Sequence, residues 1–495
     1  MVNYWIEGLK TVFEPYTFLM TVVGVLAGVV VGALPGITSS MGIILLLPFT
    51  YYMDPRVAMM MIVGLYCSSM FGGSISAVLL RTPGTPSAAA TALDGYPLAQ
   101  KGKAGKALSA ALLASFAGGM ISSVALIFLS PVLAKFALQF GPAEYFSLAI
   151  FGLTMVASVS KGNLLKGLIS GFLGLLLCCV GVDNIGGRTR LTFGINALTM
   201  GFDFLPVMIG AFAVAEVIRK LEKREESYVI ESRISDVFLT REEMKDILVP
   251  ILFGSLIGVI IGVIPATGGT IATFLAYNEL RRWHKKRNQF GQGVLEGVAV
   301  CESANNAVTG GAMVPLFSLG IPGDAVTAVM LGAMILIGLR PGPLLFVERP
   351  DVVYTVFAGW FVVQFLMLTL GFLSIAFAPK ILKIPPNILM PIILVLSIVG
   401  SYGLRNSMYD VAVALMFGFI GYIMERCKMP IAPMVLGIIL GPYAEGNLNR
   451  ALLISRNDWL IVFKRPISLV LLLAAFASIA FSLISSYREA KKRGA

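Results

Sequence analysis

Residues 24–35 read GVLAGVVVGALP, and residues 254–265 read GSLIGVIIGVIP. Gly24, Gly28, Gly32 and Pro35 recur as Gly254, Gly258, Gly262 and Pro265 at a constant offset of 230. Each run is almost wholly apolar between its glycines, Ser255 excepted, and each meets a proline, which interrupts helical hydrogen bonding. Small residues four apart let helix backbones approach closely in lipid, so packing is the expected role of these glycines.

The likeness continues downstream. YCSSMFGGSISAVLLRTPGTPSAAA (66–90) parallels VCESANNAVTGGAMVPLFSLGIPGDAVTA (300–328). Gly72-Gly73 falls opposite Gly310-Gly311, and Pro83-Gly84 opposite Pro322-Gly323, with a small drift in offset that loop insertions would produce. Apolar segments interrupted by Gly and Pro at matching places in two halves point to the binding site of a transporter.

The composition sets the class. Of 495 residues, 57% are hydrophobic and 13% charged, and mean hydropathy is +0.86. A soluble domain is about 25% charged. Apolar runs of membrane-spanning length, about 17–25 residues, recur along the whole chain. These predict an all-α polytopic membrane protein of about 11–14 transmembrane segments, some of them hairpins or broken helices. The net charge of +11 fits basic cytoplasmic loops better than nucleic-acid binding. The first apolar run follows Glu7, Lys10 and Glu14, which is not a signal-peptide n-region. Cys67, Cys178, Cys179, Cys301 and Cys427 lie in or beside apolar runs without C-x-x-C spacing, and are expected to be buried thiols. With one histidine, His284, a His-rich metal site is excluded. No P-loop or G-x-S-x-G motif is present, so no resident cofactor is expected.

Charge orients the two halves. The polar stretch 219–245, RRWHKKR (281–287), KGKAGK (101–106) and the basic tail suit the cytoplasm, while YYMDPR (51–56) and FVERPD (346–351) suit the outer face. The expected organisation is a first transmembrane repeat (1–218), a cytoplasmic linker (219–245), a second repeat of inverted topology (246–487) and a cytoplasmic basic tail (488–495). The stretches 16–52 and 246–280 are expected to form hairpins that enter and return on one side.

Irregular backbone at membrane depth survives only where it is buried in protein or lines a wet cavity. RTPGTPSAAATALDG (81–95) is such a segment. It is expected to break at Pro83-Gly84 and restart as a helix with Thr85 as cap and Pro86 at the first position, where a missing N–H costs nothing. The second half repeats this after Pro322-Gly323, with Asp324 as cap. Two helix N-termini facing one cleft would suit an anion. Ser74, Thr82, Gly84, Thr85, Ser87, Asn305, Asn306, Pro322 and Gly323 are therefore candidate substrate ligands. Arg81 offers a guanidinium for a substrate carboxylate, or a partner for Asp94.

Glu302, in VLEGVAVCESANNAVTGG (294–311), is the other unusual residue. With a helix start near Gly291 it lies about 16 Å along the helix, and an ionisable residue inside a membrane segment is a functional candidate by default. Glu302, Ser303, Asn305, Thr309 and Asp324 are candidate coupling-ion ligands, for sodium or for a proton. Glu296, nearer the interface, is expected to be structural.

These residues carry a family likeness. GALPGITSSMGIILLLPFTYYMDP, FGGSISAVLLRTPGTPSAAATALDGYPLAQKGKAGKAL, GVIPATGG and CESANNAVTGGAMVPLFSLGIPGDAVTAVMLGA together resemble the large membrane subunit of the tripartite tricarboxylate transporters, over about residues 20–470. The resemblance implies a carrier of the bacterial inner membrane that imports carboxylates such as citrate. It also implies an ion gradient as the driving force, a small membrane subunit and a periplasmic solute-binding protein. The residues alone leave room for an anion channel or a carboxylate/cation symporter without partners. An intramembrane enzyme would need a nucleophile–base pair that the sequence does not offer. A non-transporting scaffold is the remaining alternative.

Overall fold

The computed structural model describes residues 2–159, 164–183, 187–222, 236–265, 267–382 and 386–493. The middle of the expected linker, residues 223–235, and the last two residues of the expected tail lie outside the described residues. The described part is mainly helical, with one short antiparallel pair in which Gly181–Val182 faces Thr189–Arg190. Seven of its helices are long and apolar enough to cross a membrane, and five shorter apolar ones accompany them.

The first half runs α1 (Val2–Phe13), α2 (Pro15–Ala33), α3 (Ser39–Thr50), α4 (Pro55–Leu80), a 3₁₀ turn (Pro86–Ala89), α5 (Ala92–Gln100), α6 (Ala104–Ala137), α7 (Pro142–Val159) and α8 (Leu164–Leu177), then α9 (Phe204–Met208) and α10 (Ala215–Glu222). The second runs α11 (Arg241–Val263), α12 (Gly268–Trp283), α13 (Leu295–Leu319), α14 (Ala325–Leu336), α15 (Leu345–Glu348) and α16 (Pro350–Ile381). It continues with α17 (Pro386–Arg405), α18 (Met408–Arg426), α19 (Ile431–Ile454), α20 (Ile461–Lys464) and α21 (Pro466–Arg493). A helix thus covers 488–493, where a tail was expected.

Two compact units emerge, and each draws on both halves of the chain. One comprises Met1–Ala134 and Arg224–Ile392, the other Lys135–Lys223 and Ile393–Ala495. In the second unit, small residues set the packing. A Cβ at Gly174 would lie 2.0 Å from the Met434 carbonyl oxygen, and one at Gly210 2.2 Å from that of Ala414. Arg190 there clamps Glu445 at 2.6 Å.

The first unit holds all the candidate site residues. Its centre is α4 and α13, whose apolar and small polar side chains are buried almost throughout. The repeated glycines position both. A Cβ at Gly24, Gly28 or Gly32 of α2 would come within 2.2 Å of α4 atoms of Met61, Ser68 or Ser69. In the second half, a Cβ at Gly254 would meet the Ser303 hydroxyl of α13 at 2.3 Å, and one at Gly258 the Ala304 carbonyl at 2.4 Å. The glycines therefore serve helix packing, as their spacing implied.

Both hairpins also form. The residue before a proline is driven out of the helical region, and Leu34 (ψ 114°) and Ile264 (ψ 116°) cap α2 and α11 in extended conformation before Pro35 and Pro265. The chain then turns back as α3 and α12.

Ion pairs gather at two ends. Lys286 bonds Asp246 at 2.8 Å and Glu296 at 2.5 Å, joining the start of α11, the exit of α12 and the start of α13. The Asp246 and Glu296 carboxylates hold the Lys286 ammonium above its usual range. Glu296 is thereby ion-paired at the start of α13. Lys106 reaches Glu243 at 2.7 Å, which brings the KGKAGK stretch to the same end. Elsewhere Arg56 pairs with Asp54 at 3.0 Å and Arg349 with Asp351 at 2.9 Å. The Arg56 hydrogen bond holds the Asp54 carboxyl below its usual range, and the field of Arg349 reaches it too, so these two loops share an end.

All five cysteines are free. Cys67 and Cys301 are buried as expected, but Cys178 and Cys179 are half-buried and Cys427 is exposed. Cys427 caps the C-terminus of α18 beside Lys428, where the chain leaves the apolar helix.

Candidate functional site

The first break begins where α4 stops. Arg81 takes the left-handed conformation (φ 58°) at its cap, which ends the helix before the two prolines. Gly84 then donates its N–H to the Gly73 carbonyl at 3.3 Å. A Cβ on Gly84 would lie 1.8 Å from the Gly32 carbonyl oxygen, so only glycine fits against the end of α2. Thr85 precedes Pro86 in extended conformation, but its side chain makes no capping bond. The element that restarts is a four-residue 3₁₀ turn, and α5 begins only at Ala92. The expected full helix N-terminus is therefore absent here. A single 3₁₀ turn aligns few peptide dipoles.

The second break behaves as expected. Gly320 ends α13 in the left-handed conformation (φ 73°), and Pro322 and Gly323 are buried. Asp324 caps α14 through a capping box: its Oδ1 accepts from the Thr327 N–H and hydroxyl, both at 2.7 Å. Its Oδ2 accepts from the Tyr66 hydroxyl at 2.7 Å. Both oxygens are engaged in holding the fold, which departs from a role as coupling-ion ligand.

Each break packs on the hairpin of the opposite half. The Ser40 hydroxyl at the start of α3 donates to the Ala325 carbonyl at 3.4 Å. The Thr273 hydroxyl of α12 donates to the Ser87 carbonyl at 3.1 Å. A Cβ at Gly269 would lie 3.0 Å from the Ser87 Cβ and 3.4 Å from Asn305 Oδ1, so Ser87, Asn305 and the start of α12 meet at one point.

Asn305 is 1% exposed, and its Oδ1 bonds no protein group. Its Nδ2 donates to the Met70 carbonyl at 3.4 Å, and the side chain also lies beside the Glu302 carboxylate. Glu302 is fully buried. It accepts from the Thr91 hydroxyl at one oxygen and from Ser115 Oγ at 3.1 Å at the other. All its named partners are neutral. The carboxylate thus sits on α13 between the first-half segment after the break (Thr91) and α6 (Ser115). The helix starts at Leu295 rather than near Gly291, so Glu302 lies about 10 Å along it. The delay has a cause. The N–H groups of Gly291, Gly293 and Val294 wrap around Asp94 Oδ1 at 2.9, 2.8 and 3.1 Å.

That wrapping also decides the fate of Arg81. Asp94 is fully buried, held by those N–H groups and by the Tyr277 hydroxyl at 2.8 Å. Arg81 is exposed, with its guanidinium 5.8 Å from the centre of the Tyr96 ring, and forms no pair with Asp94. Thr82 is likewise exposed. Ser74 donates to the Phe71 carbonyl at 2.7 Å, Ser303 to that of Val300 at 3.3 Å and Thr309 to that of Asn306 at 2.7 Å. Those three hydroxyl protons are committed to their own helices. The structure brings together Thr85, Ser87, Asn305 and Glu302, with Gly84 and Gly323 at the backbone breaks. Thr85 Oγ1 and Ser87 Oγ are 3.3 Å apart. Tyr66, Thr91 and Ser115 were not singled out by sequence, and no local pattern marks them.

The model of the tripartite tricarboxylate transporter TctA family matches residues 18–436. An Agrobacterium vitis protein described as "Uncharacterized 52.8 kDa protein in TAR-I ttuC' 3'region" is 37% identical over 486 residues, which cover 98% of this chain and 97% of that protein. A second A. vitis protein, described as "Uncharacterized protein in TAR-II ttuC' 3'region", is 35% identical over 232 residues, 47% of this chain and 96% of that protein. Matched over most of its length and rich in long apolar helices, this multi-pass membrane protein belongs to the tripartite tricarboxylate transporter TctA family, a family of transporters.

Proposed function

We propose that the chain is the large membrane subunit of a binding-protein-dependent importer of carboxylates in a bacterial inner membrane. It works with a small membrane subunit and a periplasmic solute-binding protein. A sodium or proton gradient drives it, and alternating access of two inverted halves carries the substrate across. A tricarboxylate or other carboxylate sits at the two breaks, close to Thr85, Ser87, Asn305, Gly84 and Gly323, and Glu302 couples it to the ion.

One observation carries this reading. The Asn305 side chain lies beside the Glu302 carboxylate and borders, with Ser87 of the first break, the start of α12 at Gly269. An amide in that position can sense a substrate and an ion together. Buried carboxylates with only neutral partners change charge readily, because the charged form is costly there. The two clusters of ion pairs support the inverted relation: α4 starts beside Asp54 and Arg349, whereas α13 starts beside Lys286 and Asp246.

The test is transport by the reconstituted three-component system across a panel of carboxylates, with sodium and pH gradients imposed separately. Accumulation driven by one gradient, with counterflow of labelled substrate, is expected. Downhill flux without counterflow would mean a channel and would overturn the carrier reading.

A further inference from the structure

A second polar cluster lies in the core of the first unit, and the sequence motifs reach only part of it. Both amide atoms of Asn306 and both of Gln364 lack an oxygen or nitrogen hydrogen-bond partner, Gln364 having only the Cys67 thiol beside it, although each residue is fully buried. Gln364 stands on α16, outside the repeated motifs. An amide in such a place needs partners, because burial without them is costly.

Two sets of contacts place these residues in one region of the core. The first runs along α6. A Cβ at Gly118 would lie 2.2 Å from the Ser303 carbonyl oxygen, and one at Gly310 2.6 Å from Ser122 Oγ. Glu302, Asn306 and Gly310 share one face of α13 by helical spacing; Glu302 bonds Ser115 and Gly310 lies on Ser122, so Asn306 faces the stretch of α6 between them. Gln364 lies against the same stretch, since a Cβ at Gly119 would be 2.0 Å from its Oε1. The second passes through Cys67. Its Sγ is 3.9 Å from Thr309 Oγ1, and the Gln364 amide lies beside the same thiol. Thr309 stands one turn after Asn306 on α13 and donates to its backbone carbonyl at 2.7 Å.

With that proton committed, Thr309 Oγ1 has only lone pairs left to offer. Asn306 Oδ1 and Gln364 Oε1 are further neutral acceptors. Divalent cations take carboxylates, and these three groups carry no charge. A hard monovalent cation suits such a set.

We propose that Gln364, Asn306 and Thr309 form a binding site for a monovalent cation of the sodium type, built of neutral oxygens and separate from the Glu302 carboxylate. The proposal rests on the reading of the chain as an ion-coupled carrier and adds a second place for the ion, with Gln364 as a specificity-determining residue.

The test is thermal unfolding of the purified full chain in lipid nanodiscs, in sodium chloride against choline chloride at fixed pH and ionic strength. A ligand that binds only the folded state raises the melting temperature. Wild type is expected to be stabilised by sodium. Gln364→Leu and Asn306→Ala should lose the effect or need at least tenfold more sodium. Gln364→Glu, which keeps an oxygen in place, should retain it and covers the case in which the leucine variant fails to fold. Glu302→Gln should keep a sodium response that Gln364→Leu lacks. No sodium response in wild type, or an unchanged response in Gln364→Leu or Asn306→Ala, overturns the site. Loss of the response in Glu302→Gln also overturns its independence from the carboxylate. Sodium stabilisation of a protein that transports no carboxylate would support the site while removing the carrier reading, so the two failures are distinct.

Discussion

The Tyr66 hydroxyl donates to Asp324 Oδ2 at 2.7 Å, tying the buried first-half helix α4 to the cap of the second break across 258 positions of sequence. Tyr277 and Asp94 form a counterpart at 2.8 Å, with the tyrosine from the second half and the aspartate from the first. Each half thus supplies a phenol that satisfies a carboxylate downstream of the other half's break. Removing one phenol strands a buried carboxylate oxygen, which costs about 1–3 kcal/mol. Tyr66→Phe is therefore expected to lower the apparent melting temperature in detergent, while Tyr4→Phe, on half-exposed α1, leaves it unchanged. Equal melting of the two variants would show that the bond contributes nothing.

Glu302 is held only by hydroxyls and an amide, so glutamine keeps its size and removes the charge, and its NH2 group is accommodated by rotation of one hydroxyl, which then accepts. Glu302→Gln is expected to abolish gradient-driven uptake by the reconstituted system, with wild-type expression and gel-filtration behaviour. Thr91→Val removes one hydroxyl from the carboxylate and should shift the pH dependence of uptake rather than abolish it. Wild-type uptake by Glu302→Gln would end the coupling role.

Much of this could be read in the sequence because repetition and polarity are local signals. The fixed offset of the glycines and prolines revealed α2 and α11, and an acid within an apolar run singled out Glu302. The restart after Pro83-Gly84 was harder. Thr85 and Pro86 form a sound helix start, but the segment must also cover Ser87 and deliver Thr91 to Glu302, and it does so as a 3₁₀ turn. The partners of Glu302 could not be read at all. Ser115 lies 187 positions away in an ordinary Ser/Ala-rich helix face, and its role exists only once α6 packs on α13. The role of Asp94 was hidden for the same reason. Its ligands are backbone N–H groups, which leave no mark in side-chain chemistry.

Ser87 meets Asn305 and the start of α12 at a single point, so it should control substrate affinity more than stability. Ser87→Ala is expected to weaken carboxylate binding roughly three- to tenfold, the loss of about one hydrogen bond. Ser87→Leu should abolish it, because the added carbons would enter the space beside Gly269. Substrate-induced thermal stabilisation measures both. An unchanged affinity in Ser87→Ala, in a protein that still binds substrate, would remove the residue from the site.

Gly84 and Gly102 separate close packing from backbone strain. A Cβ on Gly84 would overlap the Gly32 carbonyl, whereas Gly102 (φ 77°) has open space around it. A backbone oxygen at the tip of a hairpin cannot swing aside as a side chain can, so Gly84→Ala must push α2 away from the first break. Overpacking of this kind costs about 1–3 kcal/mol and often more, and here it also displaces Thr85 and Ser87. Gly102→Ala pays only for a left-handed alanine, about 1–2 kcal/mol. The expected result is that Gly84→Ala loses both melting temperature and substrate affinity, while Gly102→Ala loses a little stability and no affinity. Binding in Gly84→Ala at the wild-type constant would mean that the geometry of the break does not position the substrate.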